Sequence, residues 1–333
     1  MRIAIVKLSA LGDIVHAMVG LQFIKQSIPD IEIDWIVEEK FSEILRHNPD
    51  LSQILTVNLQ SIKLSKLKLF NEYQRIKNYA KNHYDLVIDA QSLIKSSVVA
   101  KLLGGKLFGF DRASSRESFA ALFYDQKIAC SYEKNTIDRN AFILSKPLNF
   151  EILPEQILAK TPFLFYKNEN AEIHEYFTAN KKNVIFVVGS SWESKNYPKQ
   201  KFLKIAKNLP VNCLAVWGNE QEQAVAKWLE SRAENIKAMP KMDLNSLKAA
   251  IAKSDLVIGN DTGPTHMAWA LNRPSITIFG PTPVSRVYQT ESNRVIKSPS
   301  KINPYKLDKN DFSIKDIDEC QVIEIANKLL KLP

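Results

Sequence analysis

Residues Leu256 to Pro281 read Leu-Val-Ile-Gly-Asn-Asp-Thr-Gly-Pro-Thr-His-Met-Ala-Trp-Ala-Leu-Asn-Arg-Pro-Ser-Ile-Thr-Ile-Phe-Gly-Pro. Leu256-Val257-Ile258 is the short apolar run that a buried parallel strand requires. Gly259 to Gly263 is expected to break away as a polar loop, and Pro264 suits the first turn of a helix, where its missing N–H costs nothing. His266 to Leu271 carries apolar residues at helical spacing. Pro274 stops that helix, and Ser275–Phe279 resumes a strand. A helix opening at Pro264 points free amides and a positive dipole end over Asp261-Thr262-Gly263, which makes a cradle for a diphosphate. The alternative is that Asp261 and Thr262 only cap the helix.

The same strand–loop–helix grammar extends in both directions. Strands are expected at 2–7, 31–37, 54–57, 86–89 and 107–110, with helices over 14–27, 41–47, 72–82, 96–103 and 135–145. The lysine-rich stretch 58–70 is expected as a loop. Residues 147–162 contain three prolines and little periodicity, so an interdomain linker is expected there. Strands then resume at 184–188, 213–216, 256–258 and 276–279, alternating with helices at 201–208, 221–231 and 244–253. An amphipathic helix over 314–330 closes the chain. Alternating strands and helices predict an α/β protein of two doubly wound Rossmann-like domains with right-handed crossovers. The expected domains are 1–155 and 156–311, followed by a C-terminal helix in 312–333.

Bulk properties narrow the function. A chain of 333 residues is long enough for two domains. No apolar run approaches the length of a membrane span, and the immediate strand at Met1–Lys7 leads us to expect no signal peptide. Cys130, Cys213 and Cys320 lie far apart, as do His16, His47, His83, His174 and His266, so neither a disulfide framework nor a metal site is expected. The net charge of +9 implies acidic partners. Eleven Lys and Arg residues between Lys63 and Arg116 face only Glu72, Asp85, Asp89 and Asp111. They form either a solvated surface or a basic face for a ligand. Aromatic residues are not interleaved with them, so nucleic acid is not expected. The chain lacks both G-x-G-x-x-G and G-x-x-x-x-G-K-S/T, which argues against a dinucleotide oxidoreductase and a P-loop hydrolase.

Several residues at strand ends could carry chemistry. Asp13, after Gly12 at the end of the first strand, is either a helix cap or an ionised general base. Ser190 and Ser191 follow the strand at 184–188 as hydroxyl donors for phosphate, with Lys195 close behind. Glu222, beyond Trp217-Gly218, either hydrogen-bonds a ribose or merely starts a helix. Met239-Pro240-Lys241-Met242 is either a wall for a base or packing.

Three blocks carry a resemblance. Val6-Lys7-Leu8-Ser9-Ala10-Leu11-Gly12-Asp13-Ile14-Val15-His16, Asp89-Ala90-Gln91-Ser92-Leu93-Ile94-Lys95-Ser96 and Asn260-Asp261-Thr262-Gly263-Pro264-Thr265-His266 resemble the ADP-heptose:lipopolysaccharide heptosyltransferases. Order and spacing agree over nearly the whole chain, most closely with the heptosyltransferase I branch. The resemblance implies a GT-B fold and an inverting transfer of heptose from ADP-heptose to Kdo of Kdo-lipid A, with no metal or other cofactor. It implies Asp13 as the base. It also implies donor contacts from Ser190, Ser191, Lys195, Glu222, Met242, Asp261, Thr262, Gly263 and His266. Glu222 would hold the ribose and Asp261 the heptose hydroxyls. Acceptor contacts implied are Lys7, Lys63, Lys66, Gln91, Lys95 and Arg116. The final helix would pack back on the first domain. A cytoplasmic enzyme peripheral on the anionic inner face of the bacterial inner membrane follows from such an acceptor. Rival readings are heptosyltransferase II or another acceptor, a nucleotide-sugar epimerase or hydrolase in which Asp13 activates water, and a non-enzymatic nucleotide-sensing or membrane-docking module.

Overall fold

The computed structural model describes residues 1–61 and 65–332. The chain divides into two compact units, Met1–Phe163 and Leu164–Pro333. The first runs β1 (Arg2–Val6), α1 (Leu11–Ser27), β2 (Glu32–Glu38), β3 (Gln53–Val57), α2 (Lys66–Tyr79), β4 (Leu86–Asp89), α3 (Ile94–Leu103), β5 (Lys106–Phe110), β6 (Gln126–Ile128), α4 (Thr136–Ser145) and α5 (Pro154–Leu158). Its sheet is wholly parallel, in the order β3-β2-β1-β4-β5-β6.

Helices cover both faces of that sheet, so its central strands β1 and β4 are buried beyond their first residue and carry the apolar runs Ile3–Val6 and Leu86–Ile88. On one face α1 packs against α4. The two helices approach so closely that a Cβ on Gly20 would lie 2.8 Å from Leu144. On the other face α2, α3 and a 3-10 turn at Ser118–Leu122 share one core. Ile76, Val99, Leu103, Ala120 and Ala121 meet Val6, Val57 and Val87 there.

The second unit runs β7 (Asn183–Val187), α6 (Lys199–Asn208), β8 (Asn212–Val216), α7 (Glu220–Glu230), β9 (Ile236–Ala238), α8 (Leu244–Lys253), β10 (Leu256–Asn260), α9 (Gly263–Ala270), β11 (Ser275–Phe279), β12 (Asn293–Lys297) and α10 (Glu319–Leu330). The sheet order β12-β11-β10-β7-β8-β9, again all parallel, repeats the winding of the first unit. Both sheets are therefore doubly wound, as expected.

The structure departs from the sequence expectations in several places. β10 continues through Gly259 and Asn260, because a glycine can pair in the ladder where Thr265 presses against it. A Cβ at Gly259 would lie 2.5 Å from the Val187 Cβ and 2.6 Å from the Thr265 Oγ1. Lys66–Phe70 is not loop but the start of α2, capped by the Ser65 hydroxyl, which accepts from the Lys68 amide at 3.2 Å. The short outer strands β6, β9 and β12 carry no apolar run, since an edge strand has less to bury. The proline-rich stretch 147–162 belongs to the first unit: Leu148, Ile152 and Ile157 are buried, and Gln22 accepts from the Thr161 amide at 3.1 Å. The division falls at Phe163/Leu164 rather than after residue 155. The final helix was expected to pack on the first domain. Instead Val322, Ala326 and Leu330 of α10 enter the core of the second unit, beside Phe202, Ile205 and Ala206 of α6.

Candidate active site

In a doubly wound sheet, ligands bind beyond the carboxyl ends of the strands where the winding reverses. In the first unit that point lies between β1 and β4. The loop after β1 is stitched to the loop after β4 by Gln91. Its Oε1 accepts the Leu8 amide at 2.6 Å and the Ser9 amide at 3.2 Å, and its Nε2 donates to the Ser9 Oγ at 3.2 Å. Gln91, expected as an acceptor contact, is thus first a clamp. Lys7 is likewise turned inward. Its Nζ donates to the Ala90 carbonyl at 2.7 Å and the Asn140 Oδ1 at 3.0 Å. Burial pushes this ammonium below its usual range, while the charges of Asp13 and Asp89 pull the other way. Lys7 therefore ties β1, β4 and α4 together instead of standing exposed.

Asp13 is the third residue of α1, half-buried, with Oδ2 3.4 Å from the Ala10 amide. It lies within the positive end of the helix dipole, which favours the charged carboxylate. His16, one turn on, is buried. Lys95 is exposed in the first turn of α3 and donates to the Ser9 Oγ at 3.2 Å. Arg116 is exposed in the loop after β5. Its neighbour Glu117 anchors that loop by accepting the Ile94 amide at 2.7 Å. Lys66 is exposed at the start of α2, and Lys63 lies outside the described residues.

Two supports escaped the sequence reading. Asp89 is completely buried and accepts from the Gln91 and Ser92 amides (both 3.0 Å), the Ser96 hydroxyl (2.9 Å) and the Tyr124 hydroxyl (2.8 Å). Burial pushes its carboxyl upward and these hydrogen bonds oppose that push. Arg139 donates to the carbonyls of Ser114 and Cys130 (2.6 Å each) and Ser131 (2.5 Å), which ties the loop that carries Arg116 to the segment after β6. Asp89 stands in the quoted Asp-Ala-Gln block, so its spacing was visible; nothing in the sequence flagged Arg139.

In the second unit the winding reverses between β7 and β10. Asn260, wholly buried at the end of β10, holds the two strand ends together. It donates to the carbonyls of Val188 (3.1 Å) and Gly189 (3.3 Å) and accepts the Tyr197 amide at 2.9 Å. The next residue, Asp261, is the centre of a buried polar cluster. Lys195 Nζ sits 2.9 Å from its Oδ2, the Thr282 hydroxyl donates to the same oxygen at 2.7 Å, and His266 Nε2 lies 3.0 Å from Oδ1. Burial alone would raise the Asp261 carboxyl. Lys195, then His266 and Arg286, outweigh it and hold the group well below the usual carboxylate range. Both carboxylate oxygens are engaged with protein side chains, and through Oδ2 Asp261 anchors Lys195. Thr282 and Arg286 were missed, because they follow β11 outside any recognised block.

Thr262 takes the extended N-cap conformation and Gly263 begins α9, with Pro264 second. The Gly263 and Thr265 amides head a helix whose first internal bond runs from the His266 amide to the Thr262 carbonyl at 3.2 Å. Ser190 is half-buried, its Oγ 2.8 Å from both the Trp192 carbonyl and the Asn196 Oδ1; Ser191 is exposed. Beside this loop lies a cavity of about 380 Å³ lined by Gly189, Ser190, Tyr197, Gln221, Glu222 and Val225, among others. The Glu222 Oε2 accepts the Gly218 amide at 2.7 Å. Its carboxylate occupies the space that a Cβ on Gly189 would fill, 2.1 Å away. The sequence thus brings Ser190 and Glu222 to one cavity, and Lys195, Asp261 and His266 to one cluster. Met242 is half-buried in the loop between β9 and α8 and is not among that cavity's lining residues. Among the described residues no group of three or more His, Cys, Asp or Glu is placed to hold a metal ion. What the two loops offer is a cation, hydroxyls and helix-end amides, the donor set for an anion.

The family profile of glycosyltransferase family 9 (heptosyltransferase) matches residues 73–312. The chain is 39% identical to lipopolysaccharide heptosyltransferase 1 of Campylobacter coli over 343 residues, covering 99% of each chain. It is 30% identical to lipopolysaccharide heptosyltransferase 1 of Escherichia coli K12 over 295 residues, covering 85% of this chain and 88% of the relative. Among solved structures, E. coli heptosyltransferase WaaC with ADP superimposes with a TM-score of 0.82 at 23% identity, covering 99% and 100% of the two chains. At that identity the likeness speaks to the fold, the two-domain GT-B arrangement of doubly wound sheets.

Proposed function

Since the chain belongs to glycosyltransferase family 9, we propose that it transfers L-glycero-D-manno-heptose from ADP-heptose to Kdo of Kdo-lipid A, with inversion at the anomeric carbon. The single observation that carries this reading is the pair of equivalent switch points. One presents the Asp13 carboxylate, and the other presents Lys195, Ser190 and the α9 amides.

In this mechanism Asp13 accepts the proton of the Kdo hydroxyl. The oxygen forms its bond to the anomeric carbon as the bond from that carbon to the diphosphate breaks, and ADP leaves. Negative charge develops on the departing diphosphate, so the groups that matter most are those poised for it. Lys195, held by Asp261, supplies the cation; the Gly263 and Thr265 amides, Thr262 and Ser190 supply hydrogen bonds. Glu222, at the rim of the cavity beside Gly189, suits the ribose hydroxyls. No step in this scheme requires a metal. Lys95, Arg116 and Lys66 suit the carboxylates and phosphates of the acceptor. An acceptor of this kind would place the enzyme in the cytoplasm, peripheral on the anionic inner face of the inner membrane.

The test is ADP release by the purified protein given ADP-heptose, with and without Kdo-lipid A, beside the Asp13→Ala variant. Acceptor-dependent release that the variant loses supports the reaction and the base together. Release without acceptor would identify a hydrolase, and release that survives in the variant would remove Asp13 from its role.

A further inference from the structure

Three elements of the first unit bury one side in a common core and leave apolar side chains on the other. In α2, Leu67 (68% exposed), Leu69, Phe70 and Tyr73 face outward while Glu72 and Ile76 face in. Leu67, Phe70 and Tyr73 follow one another at spacings of three along one side of the helix, and Leu69, four residues before Tyr73, stands on the flank of that line. In α3, Ile94 and Val98, four residues apart, are open while Val99 and Leu103 are buried. In the turn Ser118–Leu122, Phe119 and Leu122 are 63% and 66% exposed while Ala120 and Ala121 are buried. α3 contacts both α2 and the turn, and all three contribute to the same core on one face of the sheet. Their open sides therefore look the same way. Eight large apolar side chains on one surface exceed the scatter expected of a soluble domain.

The charge around them is predominantly basic. Lys66, Lys68, Lys77, Lys95, Arg112 and Arg116 are exposed on these elements and the adjoining loop, while Arg75 pairs with Glu72 and Lys101 with Asp125. The other acids in these loops are Asp111, which accepts the Ser114 amide, and Glu117, which accepts the Ile94 amide. The position is also specific. Crossover helices of a parallel sheet begin at the carboxyl edge of the strands, and Leu67 to Tyr73 fill the first turns of α2 while Ile94 opens α3. The apolar side chains thus crowd toward the same edge that carries Asp13.

Apolar residues set among lysines are the signature of an element that lies in a lipid headgroup layer, with acyl contact from one set and anionic attraction from the other. We propose that the exposed face of α2, α3 and the 118–122 turn is a docking surface that inserts into an anionic bilayer, holding the Asp13 edge at the headgroups. This deepens the reading above, in which the acceptor is a lipid. It assigns the contact to particular apolar side chains rather than to surface charge alone.

The experiment is flotation of the full chain with vesicles of phosphatidylethanolamine and phosphatidylglycerol, and with phosphatidylcholine vesicles, across a salt series. The variant is Leu67→Ser/Phe70→Ser/Phe119→Ser/Leu122→Ser, whose sites are exposed. Wild type is expected to bind the anionic vesicles, with a fraction surviving salt that screens surface charge. The variant is expected to lose that salt-resistant fraction, binding roughly 100-fold more weakly. Equal binding by both proteins would overturn the proposal, as would no binding by wild type. A change from dimer to monomer in the variant without a change in vesicle binding would make the face an interface between copies, and would overturn it too. A second readout separates this idea from the proposed reaction. The variant should turn over a deacylated, water-soluble acceptor like wild type, yet fail on the same acceptor embedded in vesicles. If neither protein transfers heptose but only wild type floats, the docking face stands and the assigned reaction falls.

Discussion

Replacing Lys195 with methionine tests the polar cluster at the heart of the second unit. Lys195 and Asp261 are 8% and 2% exposed and 2.9 Å apart. At an effective dielectric constant near 20, their attraction is about 6 kcal/mol before desolvation. Removing one partner of such a buried pair costs about 3–5 kcal/mol, because the other charge is left behind. The Thr282 hydroxyl and His266 still hold Asp261, which favours the lower end, about 3 kcal/mol. The pH dependence has a definite sign. The Asp261 carboxyl is depressed in the folded protein, so its contribution is complete above the unfolded carboxylate value, about 3.9, and is lost as pH falls through the depressed one. Without Lys195 burial dominates and the folded value rises. The gap between wild type and variant is then widest at neutral pH and narrows as the variant's Asp261 protonates. Urea unfolding followed by tryptophan fluorescence reads this directly, since Trp192, Trp217, Trp228 and Trp269 lie in the second unit and Trp35 in the first. Adding Asp261→Asn should restore much of the stability but none of the turnover. A loss below about 1 kcal/mol, or one that Asp261→Asn fails to relieve, would refute the view of Asp261 as a buried anchor.

Asp13→Asn should lower kcat roughly 100- to 10,000-fold with donor affinity nearly unchanged, measured by ADP release and by calorimetry with ADP. A matching loss of donor binding would make Asp13 structural. Gly189→Ala places a methyl 2.1 Å from the Glu222 carboxylate, so Glu222 must swing away; the donor KM should rise while the acceptor KM stays put. Neutralising Lys66 and Lys68 to Gln should raise the KM for an acceptor with anionic groups and weaken the salt dependence of that KM. An unchanged value would return both to the solvated surface.

Much of this protein was legible in the chain because its signals are local. Short apolar runs at β1, β7, β10 and β11, each followed by a glycine- or hydroxyl-bearing loop, are properties of consecutive residues. They sufficed for two doubly wound sheets and for placing Asp13, Ser190 and Asp261 at strand ends. The outer strands β6, β9 and β12 were illegible for the same reason, having too few apolar neighbours to stand out. What the tertiary structure alone decided was the division of labour among polar residues. Lys7 and Gln91 carry the same groups whether they face a ligand or a carbonyl. Only the fold, by bringing Ala90 and Asn140 onto Lys7 and the Leu8 and Ser9 amides onto Gln91, turns them into ties. Asp261 likewise became an anchor because Thr282, twenty-one residues later, and Lys195, from the loop after β7, close on it from separate strands. The C-terminal helix carried an apolar stripe but no address. Which core it entered depended on α6 and β10–β12 offering the complementary surface. Local periodicity specifies an element and the face it must bury, whereas the partner of a buried charge or stripe is set by residues far away in the chain, which only folding brings within reach.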